Sequence, residues 1–130
     1  MKRVILLSIL VLNFILGSAQ INLYKATEIN VNVNGLWRGW ETVSVDIVWD
    51  FDEDIIGLMT EDRQFYQLGK FTTDKSDGLE SVLFDAYDQN GVDLLVIFSK
   101  DKDGKFLLTI SYNNFLIVYK IKYIQEIPRA

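Results

Sequence analysis

The chain has no cysteine and no histidine among its 130 residues. That excludes disulfides, thiol nucleophiles, zinc sites built on thiolate or imidazole, and every hydrolytic triad with histidine as base. Proline occurs once, at Pro128, and glycine only 8 times, so neither a collagen-like array nor a proline-rich disordered chain fits. Basic residues are also scarce: 13 Lys+Arg stand against 18 Asp+Glu, for a formal charge of −5. No basic cluster or stripe is present, which argues against a nucleic-acid partner and against docking on anionic lipid.

Long apolar runs are confined to one place. Lys2 and Arg3 precede Val4 to Leu16, an apolar stretch too short for the ~20 residues of a membrane helix. Gly17-Ser18-Ala19 then supplies small residues. This order of basic, apolar and small segments predicts a signal peptide over residues 1–19, with cleavage before Gln20. The Ser-Ala-Gln ending resembles cleavage sites of exported proteins of Gram-negative bacteria. The expected location is therefore periplasmic or secreted, with no membrane span after signal removal. Cleavage removes 2 of the 13 basic groups and none of the 18 acidic ones, so the formal charge moves from −5 to −7.

What remains, residues 20–130, reads as a single all-β domain. Polar and apolar residues alternate with period two, and no window carries a helical stripe. In Glu28 to Asn34, Ile29, Val31 and Val33 share one face; in Thr42 to Trp49, Val43, Val45, Ile47 and Trp49 do. Ile55 to Thr60 is a short strand and Gln64 to Phe71 the next, and the turn formers of Thr72 to Gly78 predict a loop. Four strands of similar length come next: Glu80 to Asp88, Val92 to Ser99 with Val92, Leu94, Val96 and Phe98 inward, Phe106 to Tyr112, and Phe115 to Ile124. About eight antiparallel strands joined by brief turns give an up-and-down meander, either closed as a small barrel or folded as a flattened sandwich.

Three sets of residues are candidates for chemistry. Asp50, Asp52 and Asp54, with Glu61 beyond, match the acidic spacing of a calcium loop. Ile55 stands where that loop needs glycine, and the flanks are strands rather than helices, so the expectation is a solvated acidic turn with these aspartates as weak metal candidates. Asp101-Lys102-Asp103-Gly104 is explained by turn chemistry. Asp46, Asp85, Asp88 and Asp93 lie on or beside strands, where two carboxylates facing each other would suit glycan hydrolysis, yet no spacing selects a pair. No catalytic residue and no cofactor is assigned. Among the aromatics, Trp49, Tyr112, Tyr119 and Tyr123 follow inward parity and fill a core. Trp37 and Trp40, flanked by Gly35 and Gly39, are the ligand-binding candidates.

Gly35-Leu36-Trp37 at the start of a meander resembles the Gly-x-Trp signature of lipocalins. That resemblance implies an eight-strand barrel, a small hydrophobic ligand in its mouth, and Trp37 near its closed end. The whole layout is also similar to small exported bacterial β-meander proteins of unknown function, a likeness that implies no activity. The expected function is a non-catalytic exported domain that binds a protein or a surface component. The alternatives are a lipocalin-like carrier and a carboxylate-dependent glycan hydrolase.

Overall fold

A computed structural model describes residues 21–127 with the exception of Asp77. The expected signal peptide and Pro128 lie outside the described residues. The fold is all-β: β1 (Ile21–Val33), β2 (Leu36–Trp37), β3 (Glu41–Asp50), β4 (Ile55–Leu58), β5 (Gln64–Ser76), β6 (Leu79–Asp88), β7 (Asp93–Lys100), β8 (Phe106–Ser111) and β9 (Phe115–Ile127). Every neighbouring pair is antiparallel, and β1 also pairs with β9 from Ile21↔Ile127 to Val33↔Phe115. That last pairing closes the meander into a barrel and settles the barrel-or-sandwich alternative. Closure leaves β1 no open edge for most of its length, which removes the usual site of unwanted strand addition.

The two-residue β2 is not an independent wall. It pairs with Asn32 and Val33, while β3 pairs with Ile21 to Ile29 on the same flank of β1. Together β2 and β3 form one interrupted strand, so the barrel has eight staves. Along the staves, four connections gather at an upper rim: Asn34-Gly35, residues 59–63, residues 89–92 and residues 112–114. The opposite, lower rim carries residues 51–54, Gly78 and residues 101–105, together with Ile21 and Ile127.

The interior is filled by the inward residues of the staves. Tyr24, Trp49, Tyr66, Phe84 and Phe98 are each less than 2% exposed or at that limit, and Ile47, Ile56, Leu58, Val82, Val96, Leu108 and Ile110 pack among them. Trp49 is the hub: its ring lies 5.0 Å from Phe51, 5.2 Å from Phe98, 5.8 Å from Phe84 and 6.4 Å from Tyr24. Three of these contacts are edge-on, which sets the positive rim of one ring against the negative face of the next.

Three expectations need correction. The first strand begins at Ile21 rather than Glu28. Its early inward residues are Asn22, Tyr24 and Ala26; a register shift between Ala26 and Glu28 then changes the frame, so that Ile29 packs inward. Thr72 to Ser76 is not loop. These residues pair with Leu79 to Leu83, so cross-strand bonding overrides their turn-forming composition. Val92 is not inward either: it precedes β7 in the turn and is 47% exposed.

Candidate functional site

The candidate site stands at the upper rim where β1 meets β2 on one side and β9 on the other. Asn34 and Gly35 both take positive φ, 53° and 87°. This is the backbone of a two-residue hairpin turn whose twist matches that of the strands. The turn sets the register of β2, placing Leu36 opposite Val33 and Trp37 opposite Asn32. Ile29 faces inward, so Asn30 and Asn32 face outward, and Trp37 with them. Trp37 is accordingly 54% exposed on the outer wall. It faces away from the barrel interior, where the lipocalin likeness would put a ligand.

The chain then kinks. The amide of Arg38 donates to the Val31 carbonyl at 2.9 Å, and that of Gly39 to the Asn30 side-chain oxygen at 2.9 Å. Gly39 has φ +100°, a conformation that a side chain resists. The kink carries Trp40 onto the outer wall, where the Lys120 ammonium sits 4.3 Å from its ring centre. Lys120 also lies 3.4 Å from the Glu28 carboxylate, its register partner. Trp40 is 42% exposed. The outer face is thus ordered in rows across the staves: Leu116, Asn32 and Trp37, and below them Val118 and Asn30 with Gly39 bonded to it.

Beside this wall the Asn34-Gly35 turn is tied to the β8–β9 turn, the Asn34 amide donating to the Asn114 carbonyl at 3.2 Å. Between the two turns runs an open groove of about 430 Å³, lined by Asn32, Asn34, Gly35, Ser111, Tyr112, Asn113, Asn114, Phe115 and Leu116. Tyr112 and Phe115 stack in it, with centroids 4.7 Å apart and planes at 16°. Behind them, the Tyr112 hydroxyl donates to the Asp88 carboxylate at 2.9 Å. Asp88 also accepts from the amides of Asn90 and Val92. The Val92 amide above all, then the Tyr112 hydroxyl and the Asn90 amide, hold its carboxyl below the usual aspartate range. Burial, and secondarily the hydrogen bond to Asp88, pushes the Tyr112 hydroxyl up. Burial raises Tyr66 further, and pushes Tyr119 up to about 12.

The acidic candidates behave differently. The Asp50 side chain accepts from the amides of Asp52 and Glu53 at 3.1 Å, and Asp54 takes φ 56°; the turn itself uses these residues. Among the described residues no group of three or more acids is placed to hold a metal ion. Asp101 accepts from the amides of Asp103 and Lys105 at 2.9 Å, and it belongs to a lower-rim hollow of about 580 Å³ whose lining mixes Lys75, Lys100 and Lys102 with Glu80 and Asp103. Asp46 pairs with Lys25 at 2.6 Å on the outer wall, and Asp85 and Asp93 are exposed there. Asp88 is the only one of the four strand-associated aspartates set among the upper-rim tyrosines.

Sequence reasoning singled out Trp37 and Trp40 but not the groove beside them. Its asparagines come from turns about eighty positions apart in the chain, and no local pattern joins them. One signal was there to be used: Asn34-Gly35 between alternating apolar residues is the strongest short hairpin mark, and it fixes the face of Trp37.

No protein-family model matches the chain, and neither a curated protein nor a solved structure matches it. The likeness to lipocalins therefore stands on the closed meander and on Gly35-Leu36-Trp37.

Proposed function

We propose that this is an exported, non-catalytic barrel domain that works by contact, binding a protein or a surface component through its upper-rim corner. The carrying observation is the placement of Trp37 and Trp40. They stand 54% and 42% exposed beside Leu36, itself 73% exposed, while the third tryptophan of the same hairpin is buried at 2%. Large apolar side chains held at the surface in one neighbourhood mark contact sites, and tryptophan is enriched among residues that dominate binding. The corner brings together ring faces and amides, with the Lys120–Glu28 pair beside Trp40, a chemistry suited to recognition.

The test uses residues 20–130 immobilised against a cell-envelope fraction, beside a Trp37→Ala/Trp40→Ala double variant with an unchanged circular dichroism spectrum. The wild type retains a component that the double variant releases. A wild type that retains nothing at micromolar concentration, or a variant that retains as much, overturns the reading.

Closure of the barrel favours the carrier as second reading. Its ligand would sit toward a rim, since the rings of Tyr24, Trp49, Phe84 and Phe98 meet across the middle. Displacement of a bound apolar fluorophore by a fatty acid would support it; a fluorophore that never binds would remove it.

A further inference from the structure

We propose that the upper-rim groove is a subsite for a neutral carbohydrate, with Trp37 and the Tyr112–Phe115 stack as its platforms. This rests on the contact reading above and names the class of component bound.

The first observation is the charge of the lining. All nine residues around the groove are uncharged, four of them asparagines, in a chain of which 24% is charged. The hollow at the opposite rim, of comparable size, carries lysines, a glutamate and aspartates. A groove without fixed charge lacks the cationic partners that carry most of the affinity for a phosphate, an acidic peptide or a nucleic acid. It equally offers no counter-charge to a basic ligand.

The second observation is where the amides point their hydrogen-bonding capacity. Asn32 accepts from the Gly35 amide at 2.9 Å through its side-chain oxygen, which leaves its NH2 group for a ligand. Among the described residues the side-chain amides of Asn34, Asn113 and Asn114 are bonded to no protein atom. Each such amide presents one acceptor oxygen and two donor hydrogens a fixed distance apart. Adjacent hydroxyls of a sugar, each both donor and acceptor, meet that pattern; an aliphatic ligand would bury it without return.

The third observation is the rings. A pyranose has an apolar face of polarised C–H bonds, and the negative face of an aromatic ring attracts them. Trp37 is the cross-strand partner of Asn32, which lines the groove, so it stands exposed on the outer wall beside it. A ring stack at the rim and an exposed ring on the adjoining outer wall, with amides between, suit a chain of several sugar units better than a single one. The groove is open to solvent rather than enclosed, so a ligand longer than the groove is not excluded by its walls.

The experiment is titration of residues 20–130 with neutral hexasaccharides of glucose and of N-acetylglucosamine, read by tryptophan fluorescence and calorimetry at two salt concentrations. At least one hexasaccharide shifts the fluorescence, with an affinity unchanged between low and high salt, because no ion pair contributes. Trp37→Ala weakens binding about tenfold or more, Asn113→Ala combined with Asn114→Ala does likewise, and Lys102→Ala at the opposite rim changes nothing. No shift with any hexasaccharide, or binding that survives both corner variants, overturns the proposal. If hexasaccharides fail while the wild type still retains an envelope component that Trp37→Ala releases, the carbohydrate assignment falls and the contact reading stands. If both fail, both fall.

Discussion

Trp37, Trp40 and Trp49 lie on one interrupted strand, within thirteen residues of chain, yet their surroundings are opposite. Trp49 touches four aromatic rings and is 2% exposed; Trp37 and Trp40 stand on the outer wall at 54% and 42%. The side chain is the same, so the difference belongs to the backbone. Below Glu41 in the barrel the alternation of β3 runs unbroken, and parity alone sends Val43, Val45, Ile47 and Trp49 inward. Above it, the Asn34-Gly35 turn and the Gly39 kink fix the faces of Trp37 and Trp40 outward. One tryptophan holds the fold, and the other two are held by it.

The contrast can be broken most strongly at its buried pole. Trp49→Ala removes the hub of the ring cluster and costs about 3–5 kcal/mol, the range for emptying a large core site. Equilibrium urea unfolding measures it, and a loss below about 1 kcal/mol would mean that the interior is not packed as described. Next in size is alkaline pH. Burial raises the tyrosines Tyr24, Tyr66 and Tyr119 in the folded state, Tyr119 to about 12, above the ~10 of an unfolded tyrosine. Their neutral form is the one the fold favours. This contribution is complete below pH ~10 and is lost as pH rises through the folded values, by up to ~1.4 kcal/mol per pH unit for each ionising group. Urea midpoints taken between pH 8 and pH 12, alongside phenolate absorbance, should stay level at first and then fall steeply.

Smaller effects sharpen the outer pole. Gly39→Ala forces a side chain into φ +100° and costs about 1–2 kcal/mol, although its added Cβ would meet no atom within 4 Å. Its stability loss therefore reports strain rather than a clash. Trp40→Ala removes the Lys120 contact and costs about 0.5–1 kcal/mol. Trp37→Ala changes stability by less than about 0.5 kcal/mol, as expected of a substitution on the exposed outer wall. If the thermal midpoint fell as far for Trp37→Ala as for Trp49→Ala, the division of labour would be wrong.

Legibility in the sequence divided along the same line. Where alternation was unbroken and its inward set apolar, as in Val43 to Trp49 or Phe115 to Tyr123, strand and face were both readable. Residues Ile21 to Thr27 were not, because their inward set of Asn22, Tyr24 and Ala26 is polar or small and a register shift separates it from Ile29. Thr72 to Ser76 misled because composition describes a segment alone, whereas their strand depends on β6 across from them. For the candidate site, the individual tryptophans stood out by chemistry, but the groove is a product of closure. Only the β1–β9 pairing brings Asn34 beside Asn114.

The same closure has a practical reach. Ile21 and Ile127 are register partners on the lower rim, while the Asn34-Gly35 turn ends the other extremity of β1, roughly 40 Å of strand away. A reporter or tether attached directly at Ile21 or Ile127 sits on the side remote from Trp37. A short linker joining Ile127 to Ile21 would likewise allow the polypeptide to be reopened at another hairpin, a circular permutant in which the corner is presented unchanged.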